Sequence, residues 1–403
     1  MDQITKLTEV INDCLVPKLA QDYDEAKNHP EFIIRQKKLK DNIHNILNIV
    51  RDVNLKTVPH ASTLIARFII FYEELKTEGP WTSIQCKQYA QSLDCAFDTV
   101  YNVSFHKILS SDVFNAQEIF DECIKTLHQT VTSEDFRRYP ALVEVYISLV
   151  KNIKKLTVNP SSVLPLSLLL IDDYDSVNKM KGLKCCSVVL VSLNNKSFQD
   201  GNFYDVMLGS LLKAAREKDI EIISLVLENL IQLLTILPEY AKKPAIDKAF
   251  ATILDQINME SNLYRKAACL NFIANVIEIQ GINCIIRKSF KTILCNSFDE
   301  CCNEAVAEIL LPSAIEVLEM WIQHCWCTWN LSSDQKLLSI LFKLLYITKE
   351  ESFVSQIHNL IIILIGLCTK KEQVIILESL KSPDIKSNEF LQRLQRINKD
   401  LSK

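Results

Sequence analysis

The residues best suited to chemistry lie in IQHCWCTWN, Ile322 to Asn330, with Cys295, Cys301 and Cys302 upstream. His324, Cys325 and Cys327 offer an imidazole and two thiols, donors that a structural zinc ion accepts. Such an ion takes its protein ligands in closely spaced pairs, and the 14 cysteines of this chain contain no Cys-x-x-Cys. On a helix, residues two apart point about 200° away from one another, which turns Cys325 from Cys327. A Cys–His nucleophile needs a third group to orient the imidazole, and neither residue has a recognisable one. The expectation is therefore no catalytic residue, no metal and no cofactor.

Phosphate chemistry fails on glycine placement. Gly79, Gly182, Gly201, Gly209, Gly281 and Gly366 never fall within two residues of one another, so neither a dinucleotide fingerprint nor a P-loop can be written. GxSxG and HExxH are absent as well. The same C-terminal stretch instead concentrates indole: Trp321, Trp326 and Trp329 are 3 of the chain's 4 tryptophans. Aromatic anchors are enriched at binding hot spots, which makes the three candidate partner contacts. Large aromatics at helical spacing also fill cores, and that alternative stays open.

A second constellation runs LPLSLLLIDDYDSVNKMKGLKCCSVVLVSL from Leu164 to Leu193. An apolar segment meets Asp172, Asp173 and Asp175, a turn with Lys179 and Lys181 follows, and a second apolar segment begins at Gly182. If both segments are helices, the second opens with unpaired amides. Asp173 or Asp175 can cap them, each cap contributing about 1 kcal/mol, and negative charge suits the positive helix end. Lys179 and Lys181 can pair with acids of this or a neighbouring repeat. Asp172, Asp173, Tyr174 and Lys179 are also candidates for a surface read by a partner.

The elements that must position these residues are helical. Glycine supplies 6 of 403 residues, about 1.5%, against a usual ~7%. Few glycines mean few turns with positive φ, which disfavours a sheet-rich fold. Ile4, Leu7, Ile11, Leu15 and Leu19 form one apolar stripe, with Pro17 expected to kink or split it. A helix after His29 carries Ile43, Ile46, Leu47 and Val50. Another follows Pro59 and stops at Gly79-Pro80. Further helices are expected over Ser83–Tyr101, Asp112–Thr130 and Tyr139–Leu156. The hairpin-like dipeptide Asp200-Gly201 sits in a polar connection.

Beyond residue 157 the helices come in pairs. Turns fall at Arg216–Asp219, Asn258–Asn262 and Lys349–Ser352, Gly281 caps a C-terminus, and Pro312 interrupts a less regular pair from Cys284 to His324. A last amphipathic helix carries Phe390, Leu394, Ile397 and Leu401. Small residues early in the second helix recur at Gly182, Ser224 and Ala267, 42 and 43 residues apart, where facing helices would approach closely. Pairs repeating at about 40–47 residues are the HEAT and armadillo class. The predicted fold is thus all-α, an α-solenoid with an irregular helical region over 1–157 and HEAT-like repeats over 158–403, the two expected to continue as one stack.

Composition limits the function classes. Acids and bases are mixed and the net charge is −4, which offers no basic field for nucleic acid. RQKKLK (Arg35 to Lys40) and KNIKK (Lys151 to Lys155) read as solvated faces, and His60 and His358 as ordinary helix residues. The opening MDQITKLTEV does not read as a signal peptide. The longest apolar run, Leu360 to Cys368, is nine residues and too short for a membrane span. Unpaired cysteine spacing points to reduced, mostly buried thiols in cytosol or nucleus.

The stretch LLIDDYDSVNKMKGLKCCSVVL resembles the repeat of the second Tel-two-interacting protein (Tti-two) family, through Leu169, Leu170, Asp172, Asp173, Tyr174, Lys179, Gly182, Leu183 and Cys185. Lys179 stands where many HEAT repeats carry arginine. The resemblance implies a non-enzymatic scaffold subunit of the TTT (Tel-two, Tti-one, Tti-two) co-chaperone complex. It implies direct contact with the first Tel-two-interacting protein through the C-terminal repeats, then with Tel-two. Phosphatidylinositol-3-kinase-related kinases and the ninety-kilodalton heat-shock chaperone would be indirect partners. The other reading of the same helical pattern is a HEAT-repeat adaptor in nuclear transport or chromosome-associated complexes.

Overall fold

The computed structural model describes residues 2–153, 156–193, 203–286, 289–381 and 387–401. They fold into helices with no strand among the described residues. Two compact units are present, Met1–Phe203 and Tyr204–Lys403. The change in regularity expected after residue 157 falls inside the first of these.

The first unit contains α1 (Asp2–Cys14), α2 (Pro30–Asp52), α3 (Ala61–Lys76), α4 (Ile84–Tyr101), the short α5 (Phe105–Ile108), α6 (Ala116–Val131), α7 (Pro140–Lys151), α8 (Pro160–Ile171) and α9 (Ser176–Ser192). Pro17 acts as a terminator: α1 stops at Cys14, and the chain continues non-helically with Leu19 still buried. Tyr139–Leu156 proves shorter than expected, ending at Lys151, and residues 154–155 of KNIKK lie outside the described set. Helix α3 is buried on almost every side because α1, α4, α6 and α7 surround it. Its Glu74 is fully buried against Arg35 at 3.2 Å, and both carboxylate oxygens accept the amide of Val16 at 3.1 Å. That pair fastens the non-helical segment after α1 over the core. His60 is not a helix residue but precedes α3 with φ +60°.

The second unit contains α10 (Phe203–Ala214), α11 (Ile220–Ile236), α12 (Glu239–Met259), α13 (Leu263–Gln280), α14 (Ser289–Glu300), α15 (Glu304–Cys325), α16 (Leu331–Ile347), α17 (Glu351–Gly366), α18 (Lys370–Lys381) and α19 (Asn388–Leu401). Alternate helices share a layer. α13 packs between α11 and α15, while α14 packs between α12 and α16. Ion pairs join successive helical pairs: Lys266 to Glu300 at 2.7 Å, Lys343 to Asp299 at 3.2 Å and Lys349 to Glu304 at 3.0 Å. Pro312 lies inside α15, which runs through it, so the expected interruption is replaced by the turn Cys301–Asn303. Pro165 and Pro244 are likewise inside α8 and α12.

Short polar side chains start these helices. Ser83, Asn115, Asn159, Asp175, Asp219, Asn262, Asn303 and Asn330 each accept a backbone amide of the following helix. Gly281 ends α13 with φ +57°, a conformation that favours glycine. No described helix is long and apolar enough to cross a membrane.

Candidate protein-docking site

The acidic turn between α8 and α9 divides its carboxylates by role. Asp175 is the cap: its Oδ1 accepts the amide of Val177 at 3.0 Å. Asp173 caps nothing. It is buried, and its Oδ1 accepts Arg137 Nε at 3.1 Å, Arg137 Nη2 at 2.7 Å and the Tyr174 amide at 2.7 Å. Its Oδ2 accepts Asn178 Nδ2 at 2.6 Å. Burial pushes the Asp173 carboxyl up, but the bonds from Arg137, Asn178 and the Tyr174 amide outweigh it and hold the group below the ordinary range. The hydrogen bonds to Asp173 in turn raise Arg137 above its usual value.

Arg137 closes the cluster. Its guanidinium lies 4.5 Å from the Tyr174 ring centroid and 5.5 Å from that of Phe136, within cation–π range. Tyr174 is exposed, so one face of its ring rests on Arg137 and the remainder meets solvent. Asp172 is exposed and Lys179 half-buried. Lys181 reaches Glu144 of α7 at 2.5 Å, tying the turn to the preceding pair. The guanidinium that Lys179 lacks therefore arrives from Arg137, 36 residues upstream of Asp173. A basic residue one repeat earlier, in the run Phe136-Arg137-Arg138, was the signal that could have found it. The same short segment also receives the chain after α1, through Leu19 N to Arg138 O at 3.0 Å and Tyr23 N to Arg137 O at 3.2 Å.

Gly182 lies where α8 and α9 nearly touch. A Cβ there would stand 2.7 Å from Ser167 O and 2.8 Å from Ile171 N and Leu170 Cβ. Ser224 corrects the expected pattern: it is exposed, and its Oγ bonds back to Ile220 O at 2.8 Å. Ala267 is half-buried. A 42–43-residue period therefore marks comparable places along the helices without giving them comparable surroundings.

The tryptophans also divide. Trp321 and Trp329 are core, packed edge to face at 6.5 Å, which removes them from any free surface. Lys291 lies 5.2 Å over the Trp321 ring while bonding Thr328 O at 2.9 Å and Asp334 at 2.7 Å. Trp329 Nε1 donates to Cys368 Sγ at 3.4 Å. Trp326, in the 3-10 turn Trp326–Thr328, is 56% exposed. Cys325 Sγ donates to Gly281 O at 3.5 Å, so the residues following each, Trp326 and Ile282, leave adjoining connections, and both are exposed. Within the former zinc candidate, Cys325 is buried and Cys327 exposed, and no group of three metal ligands occurs among the described residues. His358 is not a plain helix residue either: it is buried, with Nε2 3.2 Å from Asp400 of α19.

No family model matches the chain, and no curated protein matches it. Solved structures do. The chain is similar to karyopherin Kap121p bound to Nup53p, with TM-score 0.51 and 11% identity over 99% of this chain and 36% of that one. It is similar to the same protein bound to Ste12p, at TM-score 0.51 and 10% identity over 99% and 37%. A chain of the structure of Kap95p with RanGDP matches at TM-score 0.51 and 12% identity over 98% and 57%. This chain thus spans 36% to 57% of the length of those chains. Likeness at such identity speaks to fold: the protein is an all-α solenoid of HEAT-like helical pairs.

Proposed function

We propose that this chain is a non-enzymatic scaffold subunit of the TTT co-chaperone complex. In that role it supports maturation and stability of phosphatidylinositol-3-kinase-related kinases together with the ninety-kilodalton heat-shock chaperone, in cytosol or nucleus. One observation carries the reading. The stretch that resembles the Tti-two repeat, Leu169 to Cys185, folds as the end of α8, a turn and the start of α9, and the turn buries Asp173 on Arg137 and leaves Tyr174 on the surface. A stack of helical pairs supplies a long protein-binding surface and suits a scaffold. The first Tel-two-interacting protein is then the direct partner, held by the second unit, where Trp326 and Ile282 are exposed. Tel-two follows, with kinases and chaperone reached indirectly.

The karyopherin-like fold over 98–99% of the chain favours a second reading, a HEAT adaptor in nuclear transport or chromosome-associated complexes. Affinity capture of the full chain from cell extract, followed by mass spectrometry, separates the two. Recovery of the other TTT subunits and the large kinases, lost with Trp326→Ala, is the expected result. Recovery of transport factors without any TTT subunit would replace the first reading with the second.

A further inference from the structure

The first turns of α2 and α4 put isoleucine in water. Ile33, Ile34 and Ile84 are 69%, 52% and 81% exposed, forgoing the gain that burial of apolar surface gives. The three are not scattered. Phe32 packs edge to face on Trp81 at 5.9 Å, and Arg35 reaches Trp81 O at 3.5 Å and Cys86 Sγ at 2.9 Å. Those contacts hold the N-terminal ends of α2 and α4 side by side, so the three isoleucines stand on neighbouring helix ends.

A row of cations continues from them along α2. At about 100° per residue, Ile33, Lys37, Lys40 and His44 fall within about 60° of arc on α2. Lys37 and Lys40 are exposed and take part in no ion pair among the described residues. Their neighbours differ: Lys38 pairs with Asp13 at 2.9 Å and Lys87 with Glu78 at 3.5 Å. Between Ile33 and Asn48, Asp41 is the single carboxylate on α2.

We infer that these two helix ends dock an acidic amphipathic peptide segment of another protein. Apolar side chains of the segment cover Ile33, Ile34 and Ile84 while its carboxylates meet Lys37 and Lys40. An anionic bilayer is the other partner with matching charge. An interfacial helix, however, sinks a continuous apolar face ~5–10 Å into the headgroups. The apolar exposure of α2 gives way after Ile34 to Lys37, Lys40, His44, Asn45 and Asn48. So short an anchor fits one or two turns of a peptide. The site lies in the first unit and does not depend on Trp326 or on the acidic turn.

Fluorescence anisotropy with the full chain tests it. The probe is a labelled peptide of about 18 residues, with Leu and Phe at i, i+3, i+4 and i+7 and Glu elsewhere. Saturable binding is expected, weakened at least about tenfold by Ile33→Ser with Ile84→Ser, and weakened again by added salt. Lys37→Glu with Lys40→Glu should lose this peptide and gain the version carrying Lys in place of Glu. All four side chains are exposed, so the melting temperature should stay put and report an intact fold. Absence of saturable binding, equal binding of a scrambled peptide, or indifference to both double variants overturns the proposal. Phosphatidylserine vesicles that bind in preference and displace the peptide overturn it in favour of a lipid site.

Discussion

Alanine in place of Asp173 removes a carboxylate that is 3% exposed and accepts four hydrogen bonds, two from Arg137 and one each from the Tyr174 amide and Asn178. Charge-assisted bonds contribute about 1.5–3 kcal/mol each, and breaking a buried pair costs about 3–5 kcal/mol. Arg137 is only partly buried, with its side chain 27% exposed, and it keeps a contact to Asp135 at 3.4 Å. Water and Asp135 therefore absorb part of the loss, and ~2–3 kcal/mol is expected. For a unit near 200 residues this lowers the thermal midpoint by ~5–10 °C, read by circular dichroism on the full chain. Asp175→Ala removes one cap and should cost about 1 kcal/mol, clearly less. Acid supplies a second check. Folding lowers the Asp173 pKa, so its contribution is present above the unfolded value and is lost as pH falls through the folded one. The gap between wild type and Asp173→Ala should be widest near neutrality and close in strong acid. A midpoint within about 1 °C of wild type, or a loss no larger than that of Asp175→Ala, would refute the division of labour in this turn.

Gly182→Ala places a methyl against the backbone of α8, at 2.7 Å from Ser167 O, and should cost ~1–3 kcal/mol in urea denaturation despite the better helix propensity; an unchanged midpoint would mean the two helices part freely. Trp321→Ala should destabilise by ~3–5 kcal/mol, whereas Trp326→Ala should leave the melting curve nearly in place and reduce partner recovery. Equal melting of the two would contradict the observed burial. Brief iodoacetamide treatment of native protein near pH ~8 should label the exposed Cys95 and Cys327 and spare Cys185 and Cys186, whose thiols burial pushes up to about 12. Mass spectrometry showing Cys185 modified as fast as Cys95 would contradict that order.

Local chemistry was legible in the sequence wherever it acts locally. The turn Arg216–Asp219 is followed by α11 with Asp219 as cap, and the turn Asn258–Asn262 by α13 with Asn262 as cap. Gly281 stands at the positive-φ end of α13 as its type predicts. Helix α18 is not legible in the sequence because its apolar residues Val374 and Ile375 are exposed and leave no clean one-sided stripe. Proline by type argues for a break, as at Pro312, yet Pro165, Pro244 and Pro312 all lie inside helices. A helix with packing on its flanks can give up one backbone bond to each and continue.

Periodicity, capping residues and scarce glycine by themselves determined that the chain is a succession of paired helices, since each acts within one or two turns of backbone. Tertiary structure decided what neighbouring residues of the same type do. It made Asp173 a buried partner of Arg137 and Asp175 a cap, and it enclosed Trp321 and Trp329 while leaving Trp326 in solvent. The pairing of Asp173 and the enclosure of Trp329 depend on groups 36 or more residues away, Arg137 and Cys368, whereas the Asp175 cap reaches only to Val177. Burial and pairing are set by which surfaces meet when helices stack, and a local pattern carries no record of that.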